Sequence, residues 1–257
     1  MIGTSELVLF AALAFVAAYV QTLTGFAFGL LLMGVLALTG LVPLPEAAIV
    51  VSLLTLANAV MVLARGWRDI AVKPFLLSLA GALPMVAAGY GVLTLLAASS
   101  LSALRLILGF AIIVSSLQLI RRPSPLARQS GGPAFLFFGA LGGLMGGLFS
   151  TAGPPLVFQF YRQPLPHRVV RETLVAIFAL NSVFRLGLVS AAGDWQHHAL
   201  LWALAGLPAV LVSTYLARRW PPALSARTLR FAAFGLLLLS GVSLIAPVIL
   251  GAVPARA

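Results

Sequence analysis

The sequence predicts an all-α, multi-pass membrane protein built from two inverted repeats, each a broken, re-entrant helical hairpin plus three transmembrane helices. Three observations carry this. The 257 residues are 61% hydrophobic and 8% charged, against roughly 25% charged in an average soluble domain. Apolar runs close to the ~20 residues that cross a bilayer recur along the chain. Two of the apolar stretches are interrupted by Gly, Ser, Thr and Pro at matching places in the two halves.

In chain order, stretch 7–41 comes first and is broken within "VQTLTGFAFGL", 20–30. Three plain runs follow at 47–64, 74–98 and 101–120. Stretch 133–161 is broken within "GGLMGGLFSTAGPPLVF", 142–158, and plain runs at 173–192, 199–217 and 231–252 complete the chain. Glycine and proline are the poorest residues for a helix interior, so each interruption reads as the tip of a hairpin. At about 1.5 Å per residue, 7–41 is too short for two full spans and a turn, and each arm is expected to reach about half to two-thirds across the bilayer. Irregular backbone at that depth persists where protein buries it or where it lines a polar cavity.

The halves, 6–121 and 133–253 of a single 1–257 domain, match in order. "PLPEAA" (43–48) answers "PLPHRV" (164–169), "LAGALP" (79–84) answers "LAGLP" (204–208), and "LSALR" (101–105) answers "LSARTLR" (224–230). Asn58 answers Asn181, and "TGFAFGL" (24–30) falls opposite "FSTAGPP" (149–155). Internal symmetry of this sort is common in transporter folds.

Charge sets the orientation. Loops 65–73, 121–128, 162–171 and 218–230 are basic, whereas 42–46, 97–100 and 193–198 carry no Lys or Arg. Equivalent loops of the two halves therefore lie on opposite sides. If each interrupted stretch enters and returns on its own side, every basic loop becomes cytoplasmic, as the positive-inside rule requires. Both termini are then periplasmic, in a bacterial inner membrane.

Composition also excludes. The net charge of +11 is spread over short loops rather than one stripe, so no nucleic-acid partner is expected. With no cysteine, disulfides, thiolate chemistry and Cys metal sites are absent, and no metal or cofactor is expected. No cleavable signal peptide is expected, because the first apolar run follows Glu6 without a preceding Lys or Arg. The partners are the bilayer and a small anion; the oligomeric state is open, a homodimer being one option.

The candidate site is the pair of tips. A restarted helix presents unpaired N–H groups that attract anions without a basic side chain. In the second tip, Gly146, Gly147 and Gly153 allow close backbone approach, Pro154 suits a first turn, and Ser150 and Thr151 add hydroxyls. In the first, Gln21, Thr22 and Thr24 are the donors, with Gly25 and Gly29 permitting the turn. The glycines also admit a plain packing role, as small residues do between membrane helices. Arg185 is an expensive charge inside run 173–192, with Asn181 one turn away; it either faces the pathway or snorkels outward. Asn58 and Asn181 are ligand contacts or interhelical hydrogen-bond partners. Arg105 and Arg230 read as interfacial anchors, and His167, His197 and His198 as solvated loop residues. No Asp or Glu lies mid-span, which weighs against proton relays and cation paths.

At the tips the chain resembles the TauE/SafE family of sulfite exporters, whose tips often read Thr-Gly-Phe-Gly-Phe-Gly and Gly-Gly-Leu-Phe-Gly-Thr-Gly-Gly-Pro-Pro. Here they stand as "TGFAFG" (24–29) and "GGLFSTAGPP" (146–155). Ala27, Ser150 and Ala152 occupy positions where glycine is common. The resemblance covers the whole chain and implies transport of small sulfur-containing anions such as sulfite or organosulfonates. The expected function is thus anion export, with no enzymatic activity. An uptake permease for another organic anion or a metal ion stands as the alternative, and an intramembrane hydrolase using Ser150 behind it.

Overall fold

The computed structural model describes residues 3–120, 126–196 and 198–220, with isolated positions between 235 and 249. Among the described residues there are nine α-helices and no strand: α1 Thr4–Thr24, α2 Phe28–Thr39, α3 Leu44–Gly66, α4 Val72–Ser99, α5 Leu101–Ile120, α6 Gly132–Phe149, α7 Gly153–Tyr161, α8 His167–Ala192 and α9 Ala199–Arg219. A 3₁₀ turn, Trp67–Asp69, follows α3. Six of these helices are long and apolar enough to cross a membrane, and the protein is multi-pass. Most of the plain run 231–252, together with Arg121, Arg122, His197, Arg227 and Arg230, falls outside the described residues.

Both interrupted stretches break. Stretch 7–41 becomes α1 and α2, and 133–161 becomes α6 and α7. The second pair folds back on itself: Phe135 packs on Phe160 with ring centroids 5.5 Å apart, and Phe138 on Phe158 at 5.7 Å. The arms are unequal, where arms of similar reach were expected. α1 and α6 have 21 and 18 residues, α2 and α7 only 12 and 9. The reason is where backbone can turn. Gly25 sits at φ 80°, Ala27 at φ 86° and Ser150 at φ 55°, all just past the middle of their stretches, and α1 also begins at Thr4, ahead of its stretch. Pro154 and Pro155 are tolerated only where a helix starts, which fixes the restart at Gly153.

Packing repeats when the halves are exchanged. α4 packs along α6 as α9 packs along α1; α3 contacts α9 as α8 contacts α4; α3 and α8 contact each other. Along α4 and α6 the register runs in parallel. A Cβ at Gly139, Gly143 or Gly147 would fall inside van der Waals contact of the carbonyl oxygens of Ser78, Ala82 and Val86, and one at Gly81 or Gly89 would strike those of Leu136 and Leu144. Glycines four apart thus let two helix backbones touch. α1 and α9 are also parallel: Phe10 packs on Trp202 (5.0 Å), Ser213 donates to the Phe15 carbonyl (2.6 Å) and Tyr19 to the Trp220 carbonyl (3.3 Å).

The basic loops meet at one end. Asp69 pairs with Arg168 at 2.7 Å, and the Ala71 N–H donates to Thr173 Oγ1 at 2.9 Å. The Leu126 N–H donates to the Arg162 carbonyl, and Ser130 N–H to Gln163 Oε1. Arg218 donates to the carbonyls of Met61 and Val62, near the end of α3. At the other end the Tyr90 hydroxyl donates to Asp194.

Candidate anion site at the hairpin tips

The two tips touch. A Cβ on Gly29 would meet the Ser150 carbonyl oxygen at 2.8 Å and Thr151 Cγ2 at 3.0 Å, and one on Gly153 would rest 3.6 Å from Leu30. Both lean on α3: Ser150 Oγ is 2.7 Å from Ser52 Oγ, and Asn58 engages the first tip. Positions 52 and 58 are six residues, about 9 Å, apart along the helix axis and bracket the middle of α3. Ser52 gives its proton to the Ala48 carbonyl at 2.8 Å, so Ser150 is the donor in the Ser–Ser bond. Ser150 is then tied up as a donor, with no base against it, and the hydrolase alternative loses its nucleophile.

The first tip is closed by its own side chains. Gln21 Oε1 accepts the Phe28 N–H at 3.2 Å, covering an amide that the start of α2 would otherwise leave open. Gln21 Nε2 donates to Asn58 Oδ1 at 2.9 Å. Asn58 Nδ2 donates to Thr22 Oγ1 at 3.0 Å and to Thr214 Oγ1 at 2.8 Å. Thr24 Oγ1 bonds the Val20 carbonyl and receives the Phe26 N–H, while the Thr24 carbonyl accepts the Tyr161 hydroxyl. Gly25 has room only for hydrogen, with Arg171 packed against it. Gln21, Thr22, Thr24 and Asn58 therefore spend their polar atoms on the protein, and the interhelical reading of Asn58 describes its geometry.

The second tip is different. Asn181 is 4% exposed, Arg185 1% and Thr151 3%. Both amide atoms of Asn181, Arg185 Nη1 and Thr151 Oγ1 are buried without a partner. Asn181 and Arg185 reach the neighbouring Gly146 and Gly147, and Thr151 stands in the turn that follows α6, against the first tip. A Cβ on Gly146 would stand 3.8 Å from Asn181 Nδ2 and 3.4 Å from Ala152 Cβ, at the start of α7. Arg185 Nε donates to the Gly147 carbonyl at 3.1 Å, an oxygen left over where α6 stops. The guanidinium lies 5.8 Å from the centroid of the Tyr90 ring. Arg185 thus runs inward to the second hairpin rather than out toward lipid headgroups, and it forms no ion pair among the described residues.

The glycines divide by task. Gly147 closes on Val86 of α4, and Gly142 on Leu156 across the hairpin. Gly146 and Gly153 have ordinary space beside them. Pro154 and Pro155 remove two of the four open amide donors that a helix start offers, leaving Ala152 and Gly153 N–H. Backbone donation at α7 is therefore thinner than expected, and the unpartnered polar atoms at this tip are on the side chains of Asn181, Arg185 and Thr151. Ser52, Tyr90 and Thr214 were not singled out from the sequence. Each puts a hydroxyl inside an apolar run, as Ser78 and Thr94 also do, so the sequence held no signal that set them apart.

A family profile described as "Sulfite exporter TauE/SafE" matches residues 10–244. A curated relative from Cupriavidus necator, "Probable sulfite/organosulfonate exporter TauE", is 39% identical over 231 residues, covering 90% of each chain. No solved structure matches.

Proposed function

Because the chain belongs to the sulfite exporter TauE/SafE family, we propose that it carries a small sulfur-containing anion, sulfite or an organosulfonate, outward across a bacterial inner membrane. It is a transporter, not an enzyme. The cargo binds mid-membrane at the second tip, against the first.

One observation carries the site. Arg185 is a buried cation with an unpartnered nitrogen, beside an unpartnered asparagine and threonine. A buried charge without a counter-charge is costly, and an anionic cargo supplies that counter-charge when bound. Ala152 and Gly153 N–H, at the positive end of α7, add to the attraction.

The halves 6–121 and 133–253 are inverted repeats. α4 departs from the end where the basic loops meet and α9 arrives there. α6 runs parallel to α4, and α1 to α9, which supports hairpins entering from opposite ends. The positive-inside rule makes the basic end cytoplasmic and the termini periplasmic. An interior-negative potential favours the exit of each negative charge by about 2.3 kcal/mol per 100 mV, so export needs no coupling ion.

Flux in proteoliposomes with a panel of sulfite, organosulfonates, carboxylates and phosphate tests the reading. Sulfite or a sulfonate should move fastest. Arg185→Gln should raise the half-saturating concentration roughly tenfold or more, since a charge-assisted contact is worth about 1.5–3 kcal/mol. Arg185→Lys should keep part of the flux, charge surviving while the planar fork is lost. Equal rates across the panel, or an unchanged Arg185→Gln, would sink it.

A further inference from the structure

The two halves place an asparagine at matching positions, yet only one of the two is satisfied. Asn58 makes three side-chain hydrogen bonds, to Gln21, Thr22 and Thr214. Aligning the tips as 24–30 with 149–155 puts Gly146 and Gly147 opposite Gln21 and Thr22. Counting from the helix prolines Pro84 and Pro208 puts Tyr90 opposite Thr214, and its hydroxyl is given to Asp194. The second half therefore lacks the side chains that complete the amide in the first. Asn181 faces Gly146 with neither atom paired.

The chemistry of this unpaired amide is specific. A primary amide offers donors on nitrogen and an acceptor on oxygen, whichever way it is turned. Arg185 Nη1 adds donors and Thr151 adds a hydroxyl, which donates or accepts. One full positive charge balances one negative charge. An anion made only of acceptor oxygens would occupy Arg185, the Asn181 NH₂ and Thr151, but leave the Asn181 oxygen desolvated and unpaired. A stranded buried acceptor costs about 1–3 kcal/mol.

Resting on the transport reading above, we propose that the second tip selects a singly charged oxyanion that itself carries a hydrogen-bond donor. The donor pairs with the Asn181 carbonyl oxygen, doing in the second half what the Gln21 amide does in the first. Hydrogensulfite and amino- or hydroxyl-bearing sulfonates fit this description; sulfite dianion and simple alkylsulfonates do not.

Sulfamate and methanesulfonate isolate the donor. Both are tetrahedral monoanions of closely similar size, ionised across the neutral range, and they differ by NH₂ against CH₃. Their half-saturating concentrations are read from thermal stabilisation of the purified full-length protein, and as competitors of sulfite flux in proteoliposomes. Sulfamate should bind roughly tenfold or more tightly, the ratio that one stranded acceptor predicts. Asn181→Leu should weaken both anions and erase the difference. Asn58→Leu should lower stability while leaving the sulfamate-to-methanesulfonate ratio as it was. Equal binding of the two anions by the wild-type protein overturns the donor requirement and leaves the anion reading standing. If neither anion nor sulfite binds, the transport reading falls and takes this inference with it. Should Asn181→Leu fail to fold, the wild-type ratio alone decides.

Discussion

Single residues at the breaks hold conformations their side chains resist. Ala27 and Ser150 both have positive φ, a region where Cβ crowds the backbone and glycine is the default occupant. These are two of the three positions where glycine is common in the family motifs. Ser150 offsets the strain with the hydrogen bond to Ser52, which glycine would lack. Ala27 has no polar group with which to do so. Ala27→Gly should therefore stabilise the fold by up to about 1 kcal/mol, the relief of left-handed strain exceeding the added chain entropy. The measurement is the thermal unfolding midpoint in detergent, and a fall would mean that packing of the Ala27 methyl outweighs strain. The pairing of Gln21 with Asn58 was hidden in the sequence, where they stand 37 positions apart. Polar residues in an apolar run show that something must satisfy them, but only the folded hairpin shows what does.

At the level of elements, the sequence exposed the breaks because Gly and Pro act through local backbone energetics, which a short window contains. It did not expose what each glycine in "GGLMGGLFSTAGPP" is for, because that depends on the neighbouring helix. Gly139, Gly143 and Gly147 form the face that α4 touches, whereas Gly146 borders Asn181. Packing describes some glycines of the run, whereas Gly146 borders the proposed site. Gly143→Ala should force α4 and α6 apart and destabilise by about 1–3 kcal/mol, as overpacking does. Gly187→Ala, with nothing within 4 Å of the added carbon, should be neutral or gain up to about 1 kcal/mol of helix propensity. Unfolding midpoints of the two variants in detergent check this; similar losses in both would refute the close-packing role. Arm length is less legible for a related reason, since hydropathy marks where a stretch is broken but not where each helix begins and ends.

For the whole molecule, loop charge was the most legible signal. Loops far apart in sequence and alike in charge gather at one end through Asp69–Arg168, Ala71–Thr173 and Ser130–Gln163. Because the chain has no cysteine, single introduced thiols report sidedness directly. An Ala127→Cys thiol should resist an impermeant maleimide in intact cells and react after lysis, and a Ser99→Cys thiol should react in both. Labelling of Ala127→Cys from outside would reverse the orientation. The asymmetry between the tips was not legible at this scale. Repeated motifs are visible in the sequence, whereas which neighbours complete each of the two asparagines is visible only in the fold.

The proline pair at the start of α7 has a consequence for turnover. A carrier has to release what it holds, and each additional amide aimed at the cargo lengthens the time the cargo stays. On the proposed function, Pro154 and Pro155, by deleting two donors from the helix start, leave the grip on the cargo to the side chains of Arg185, Asn181 and Thr151. These side chains are buried and turn only once uncovered; exposed side chains then change rotamer within nanoseconds, far faster than packed helices slide. On that reading, unloading requires the tip to be uncovered and its side chains to turn, while the hairpin backbone stays folded.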